Sequence, residues 1–231
     1  MKETDKGIFL QRTVYSDSSL IVTFFTFKGG LQKFIFRGGK KKAHNIFPMS
    51  VSELSYYGRK ESDLLNLTSV ESVRPQTFQF NPVKGAIAFF MAETLRKCIA
   101  QGQEDPDFFH FIENAVLDLE NRENVTLFPL EFLIECSEAL GFKPLCDTPS
   151  ACVFNLDAGI FQRSSSTIER TYLGKAVDLI KEIVQNNRSA EIHERSEREE
   201  ALEIMLHYFR IHVPRFDKLE SYEIVREVLR A

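Results

Sequence analysis

The sequence predicts an α+β chain: a five-stranded barrel over residues 1–80, then an all-helical domain over residues 81–231. Three observations predict it. Before Pro75 the apolar residues come in short runs rich in Ile, Val, Leu, Phe and Thr, parted by Gly, Ser and Asp. After Asn81-Pro82 they recur at three- and four-residue spacing, the period of a helix with one buried stripe. The charge also divides along the chain. Residues 1–60 carry 11 Lys+Arg against 4 Asp+Glu, whereas residues 61–231 carry 18 against 29. A net charge of −4 thus conceals a basic N-terminal quarter on an acidic body.

Gly7–Tyr15 and Ser19–Phe27 read as two strands, with Ser16-Asp17-Ser18 as the turn between them. Lys28-Gly29-Gly30 is a second turn, because glycine reaches positive φ without steric cost. Leu31–Arg37 follows as a third strand, and Gly38-Gly39-Lys40-Lys41-Lys42 as a flexible basic loop. Phe47–Tyr57 and Leu64–Val73 complete the set. The five-stranded OB-fold is the usual barrel of this size, and oligonucleotides are among its ligands.

Asn81 caps the first long helix and Pro82 takes its first position. Val83–Gln101, Pro106–Asn121 and Pro129–Leu140 each carry an apolar stripe, and Gly141 stops the third. Residues 141–166 read as an irregular insert with Pro144, Pro149 and Gly159. Ile168–Asn186, Glu197–His212 and Leu219–Leu229 resume the helical pattern, with Pro214 parting the last two.

The longest uninterrupted apolar run, Ala86–Ala92, falls well short of the roughly 20 residues a membrane span needs. No secretory pattern opens the chain, and the irregular spacing of Cys98, Cys136, Cys146 and Cys152 suits reduced, cytoplasmic thiols. Cys146 and Cys152 stand six apart with no second pair near, so neither zinc nor another cofactor is expected. No phosphate-binding glycine loop, nucleophile elbow or close carboxylate pair appears, so nothing points to an enzyme.

The basic quarter points to nucleic acid. Lys28, Lys33, Arg37, Lys40, Lys41 and Lys42 fall close together, with Arg12, Arg59 and Lys60 in flanking strands and loops. Phe34, Phe36 and Phe47 lie among and just after them. Cations that track phosphates beside rings that stack on bases make a single-strand surface, and Phe34 is the ring chosen here. The competing reading is a solvated charge run beside core phenylalanines. A second candidate surface joins Phe209, Arg210, Ile211, His212 and Arg215 near the Pro214 break, where cations fringe an apolar patch able to take an acidic peptide. Its competitor is again plain core.

Taken together these segments resemble the RecO family of bacterial recombination mediators. Tyr15-Ser16-Asp17-Ser18-Ser19 running into Leu20–Thr26 is similar to the family's Tyr, Asp-containing turn and apolar strand. Gly30-Leu31 and Arg37-Gly38-Gly39-Lys40-Lys41 resemble its second stretch; Phe209-Arg210-Ile211-His212 and Lys218-Leu219-Glu220-Ser221 resemble its closing one. The resemblance implies a nucleoid-associated protein without catalysis that binds single- and double-stranded DNA and anneals complementary strands. Its partners would be RecR, with which it helps load RecA, and the acidic C-terminal tail of single-strand binding protein. Many family members carry a four-cysteine zinc element; with Cys146 and Cys152 alone, this chain resembles the zinc-free form. An OB-type RNA binder, a protein-interaction adaptor and a hydrolase with an unrecognised site stand as alternatives.

Overall fold

The computed structural model describes residues 2–42, 46–58, 62–146, 150–164, 170–186 and 193–229. Five strands form a closed ring: β1 (Lys2–Val14), β2 (Leu20–Thr26), β3 (Gly30–Phe36), β4 (Val51–Tyr57) and β5 (Leu65–Ser72). Their order around the ring is β1-β2-β3-β5-β4, with β1 pairing β4 to close it. Only β3 and β5 run parallel; the other pairs are antiparallel. The order is OB-like, in keeping with the five-stranded OB-fold that the sequence predicts.

The ring is filled by alternation. Phe9, Val22, Phe24, Phe34, Phe36, Leu54, Tyr56, Leu65 and Leu67 point inward and are buried. Phe9, Phe24, Phe34 and Tyr56 follow one another edge to face, at centroid separations of 5.3, 6.0 and 5.2 Å. Such ring pairs add about 0.5–1.5 kcal/mol each beyond the area they bury.

The basic stretch after β3 is not a loop. Gly39–Lys42 forms a single helical turn, α1. Gly38 enters it at φ +67, and Gly39 is buried with Leu20 and Phe36 so near that an added Cβ would meet them at 3.0–3.3 Å. Packing of this glycine on the barrel core fixes the turn.

Beyond the barrel, a short 3-10 turn (Phe78–Phe80) leads to α2 (Pro82–Cys98) and α3 (Pro106–Asn121). Asn81 caps α2 by accepting from the Val83 and Lys84 N–H groups, and Asp105 caps α3 by accepting from Phe108 N–H. Strands give way to helices at the predicted residue, but the compact unit extends further: residues up to Glu123 group together with Leu219–Val228. The cause is outward packing on the sheet. Phe25, on the outer face of β2, sits 5.8 Å from Phe108 and 5.9 Å from Phe109. The helix α7 (Ser221–Val228) returns to α2, where the Glu93 carboxylate accepts from the N–H groups of Glu220 and Ser221.

The second unit spans Asn124–Lys218. It contains α4 (Phe128–Ala139), α5 (Lys175–Val184) and α6 (Arg195–His212). It is not all helical. The insert read as irregular carries β6 (Val153–Asn155) and β7 (Ile160–Gln162), and β8 (Thr171–Leu173) occupies the start of the segment expected as helix. They pair antiparallel in the order β7-β6-β8. Gly174, at φ +104, separates β8 from α5, and Gly141, at φ +84, ends α4 as expected. Tyr208, Phe209, Phe142, Phe154 and Phe216 build this unit's aromatic core. Among the described residues no helix is long and apolar enough to cross a membrane.

Candidate nucleic-acid interface

The register of the barrel sorts the basic residues. On β3 the inward Phe34 and Phe36 alternate with outward Lys33 and Ile35, and Arg37 continues the outward set just past the strand. Lys33 lies opposite Thr23 of β2, which lies opposite Gln11 of β1. Lys33, Arg37, Lys40, Lys41 and Lys42 are all exposed. The Lys40 N–H reaches the Ser18 carbonyl at 3.4 Å, so α1 and the β1–β2 loop are neighbours. Lys42 Nζ stands 6.0 Å from the centre of the Phe36 ring. Arg12, exposed near the end of β1, leads into the same loop.

Phe34 cannot stack on a base. It is fully buried, wedged between Phe24 and Tyr56. Phe36 is interior too, and Phe47 packs against Phe78 and Phe89. Lys28 is also set apart, because the β2–β3 turn lies at the other end of the hairpin from α1. There its N–H bonds the Asp5 carboxylate at 3.0 Å and its Nζ bonds the Thr4 carbonyl at 2.9 Å. Burial pushes the Asp5 carboxyl above its ordinary range, against the N–H groups of Lys28 and Lys6 that favour its charge. Arg59 and Lys60 lie outside the described residues.

Three residues of this surface escape the sequence reading. Tyr15, in the β1–β2 loop, and Tyr57, at the end of β4, are 57% and 46% exposed. Arg96 on α2 donates to the Gln11 side chain and so places a cation beside the outer row of Gln11, Thr23 and Lys33. Strand register sets Tyr57 in line with Asn66 and Ile35, and the bond from α2 brings Arg96 to Gln11; nothing in the linear order does either.

The second predicted surface is core rather than socket. Phe209 is fully buried, 5.1 Å from Phe142 and 5.3 Å from Phe216. His212 stacks on Phe142 and its Nε2 bonds the Leu156 carbonyl at 2.7 Å. Ile211 is half-buried, while Arg210 and Arg215 are exposed. The aromatics demanded burial more strongly than a peptide socket would permit.

Cys146 Sγ accepts from Gln185 Nε2, Cys152 is exposed, and among the described residues no group of three or more His, Cys, Asp or Glu could hold a metal.

Two family models match the chain, one after the other. The model of the Recombination protein O N-terminal region matches residues 1–76, and that of its C-terminal region matches residues 79–222. The chain belongs to the RecO family. DNA repair protein RecO of Christiangramia forsetii is 28% identical over 234 residues, covering 96% of this chain and 97% of the relative. Those of Flavobacterium psychrophilum and Bacteroides fragilis are 28% and 27% identical, each covering 99% of both chains. The N-terminal match thus coincides with the barrel that carries the cations, and the C-terminal match begins just ahead of α2.

Proposed function

We propose that this protein is a DNA repair and recombination mediator. In this reading it binds single- and double-stranded DNA, anneals complementary strands and, with RecR, helps load RecA. The observation that carries the reading is the set Lys33, Arg37, Lys40, Lys41 and Lys42, gathered by β3 and α1 on the outside of an OB-like ring in a RecO chain. Annealing brings two like-charged backbones together, and a cationic surface lowers that repulsion. No bond is made or broken, so the role asks for no catalytic residue. It places the protein in the cytoplasm, on the nucleoid. Single-strand binding protein is the proposed partner that delivers covered strands; with Phe209 and His212 committed to the core, Arg210 and Arg215 are what the predicted surface still offers to its acidic tail.

Titration of labelled single- and double-stranded DNA across a salt series tests the reading. With about five phosphates neutralised, log K for single strands falls against log salt with a slope of roughly −3.5. Absence of binding at low salt, or a flat dependence, overturns it. The same titration with an RNA strand separates this reading from an RNA-binding one, which requires the RNA to bind more tightly.

A further inference from the structure

One row of outward residues crosses four neighbouring strands at right angles to them. Ile21 on β2 pairs with Ile35 on β3, Ile35 with Asn66 on β5, and Asn66 with Tyr57 on β4. Residues in register share a face, so these four side chains stand side by side outside the ring. Three strand spacings of ~4.8 Å make the row about 14 Å long. Ile21, Ile35 and Asn66 are half-buried, and the Tyr57 ring is 46% exposed. On β3 the row is flanked by Lys33 on one side and Arg37 on the other. At its far end Tyr57 pairs with the exposed Lys2. The row itself holds no acidic residue; beside it, Glu3 accepts from the Tyr56 hydroxyl.

Further along β2 the outer face is covered. Phe25, one outward position below Thr23 on β2, is buried under Phe108 and Phe109. The Ile21–Tyr57 row lies away from that cover, with Thr13, Lys33 and Tyr57 around it exposed.

Resting on the function proposed above, we infer that this row is a base-stacking shelf and that Tyr57 is its platform. Bases of a single strand lie against Tyr57 and the aliphatic surface of Ile35 and Ile21, while Lys2, Lys33 and Arg37 meet the phosphates on either side. A paired duplex hides its base faces and cannot use the shelf; it meets only the cations. Tyr57 therefore sets the preference for single strands, whereas the lysines set affinity for any polyanion. This division of labour suits a protein that must hold a strand until its complement arrives and then let the product go.

The test compares wild type, Tyr57→Ala and Tyr57→Phe on three probes of equal length: oligo(dT), an abasic strand of the same backbone, and a duplex. Wild type binds oligo(dT) more tightly than the abasic strand. Tyr57→Ala weakens oligo(dT) binding by at least about fivefold, the low end of a lost base–aromatic stack. It leaves the abasic strand and the duplex within about twofold, and Tyr57→Phe restores the loss. Equal wild-type affinity for oligo(dT) and the abasic strand overturns the shelf while the DNA-binding role stands. An equal loss on all three probes also overturns it, because the ring would then act only through the fold. If wild type binds none of the probes, the proposed function itself falls and the shelf with it.

Discussion

The Glu93 carboxylate on α2 accepts three hydrogen bonds at the start of α7: from Ser221 N–H at 2.9 Å, Ser221 Oγ at 2.5 Å and Glu220 N–H at 3.0 Å. One side chain therefore caps a helix that begins 128 residues further along. Burial alone would raise the Glu93 pKa; the bonds from Ser221 and Glu220, with Lys97 nearby, outweigh burial and hold it below its ordinary value. Replacing Glu93 with Gln is expected to cost about 1–2 kcal/mol of stability. Urea melts of wild type and variant measure it, and coincident curves would show the cap to be idle.

The same contact has a pH signature. A carboxyl whose pKa is depressed on folding stabilises the protein fully above its unfolded value and loses that contribution as pH falls through its folded value. Wild type is therefore expected to lose more stability than Glu93→Gln as pH falls through the usual carboxylate range and below. Melts at neutral and acid pH test this, and parallel loss in both proteins contradicts it.

Phe34 is expected to matter for folding and not for binding. Phe34→Ala empties space between Phe24 and Tyr56 and should cost about 3–5 kcal/mol. Phe34→Leu keeps the site apolar, should cost less than the Ala change, about 1–3 kcal/mol for the two lost ring pairs, and should leave DNA affinity unchanged. Thermal melts paired with titrations decide the matter, since a folded Leu variant with impaired binding would return Phe34 to the interface.

The lysines of α1 are expected to act as a group on phosphates. Converting Lys40, Lys41 and Lys42 to Ala should make the single-strand salt slope shallower by about two. Melting temperature should barely move, because buried Gly39 and not the lysines anchors the turn. An unchanged slope would show that the run meets no phosphate.

Metal removal is expected to do nothing. With Cys146 bonded by Gln185 and no third ligand grouped with it among the described residues, dialysis against a chelator should leave the melting curve unaltered. One tightly held zinc per chain, lost with folding, would contradict this.

Much of the fold is legible in the sequence because it rests on local pattern. The alternation Lys33-Phe34-Ile35-Phe36-Arg37 itself puts the phenylalanines and the cations on opposite faces. That same rule places Phe34 inside the ring, although it adjoins the lysines in sequence. The small sheet was not legible, because three-residue strands such as Val153–Asn155 are too short to show a period. Thr171–Leu173 was absorbed into a helical reading, and only Gly174 at φ +104 marks where the helix must begin. Tyr57 was hidden for a different reason. Its neighbours Asn66 and Lys2 come from β5 and β1, and a bulge opposite Ser55 shifts the register that brings Asn66 alongside. Partnerships made by register, like the capping of Ser221 by Glu93, leave no trace in local composition.

The proposed role is to bring complementary DNA strands together, and strand annealing measures that directly. Complementary oligonucleotides coated with single-strand binding protein are mixed with and without the protein, and duplex formation is followed by fluorescence. Annealing is expected to be faster with wild type, slower with the Lys40, Lys41 and Lys42 triple Ala variant, and suppressed at high salt. A rate no greater than that of the coated strands alone, from protein that is folded and binds DNA, would contradict it.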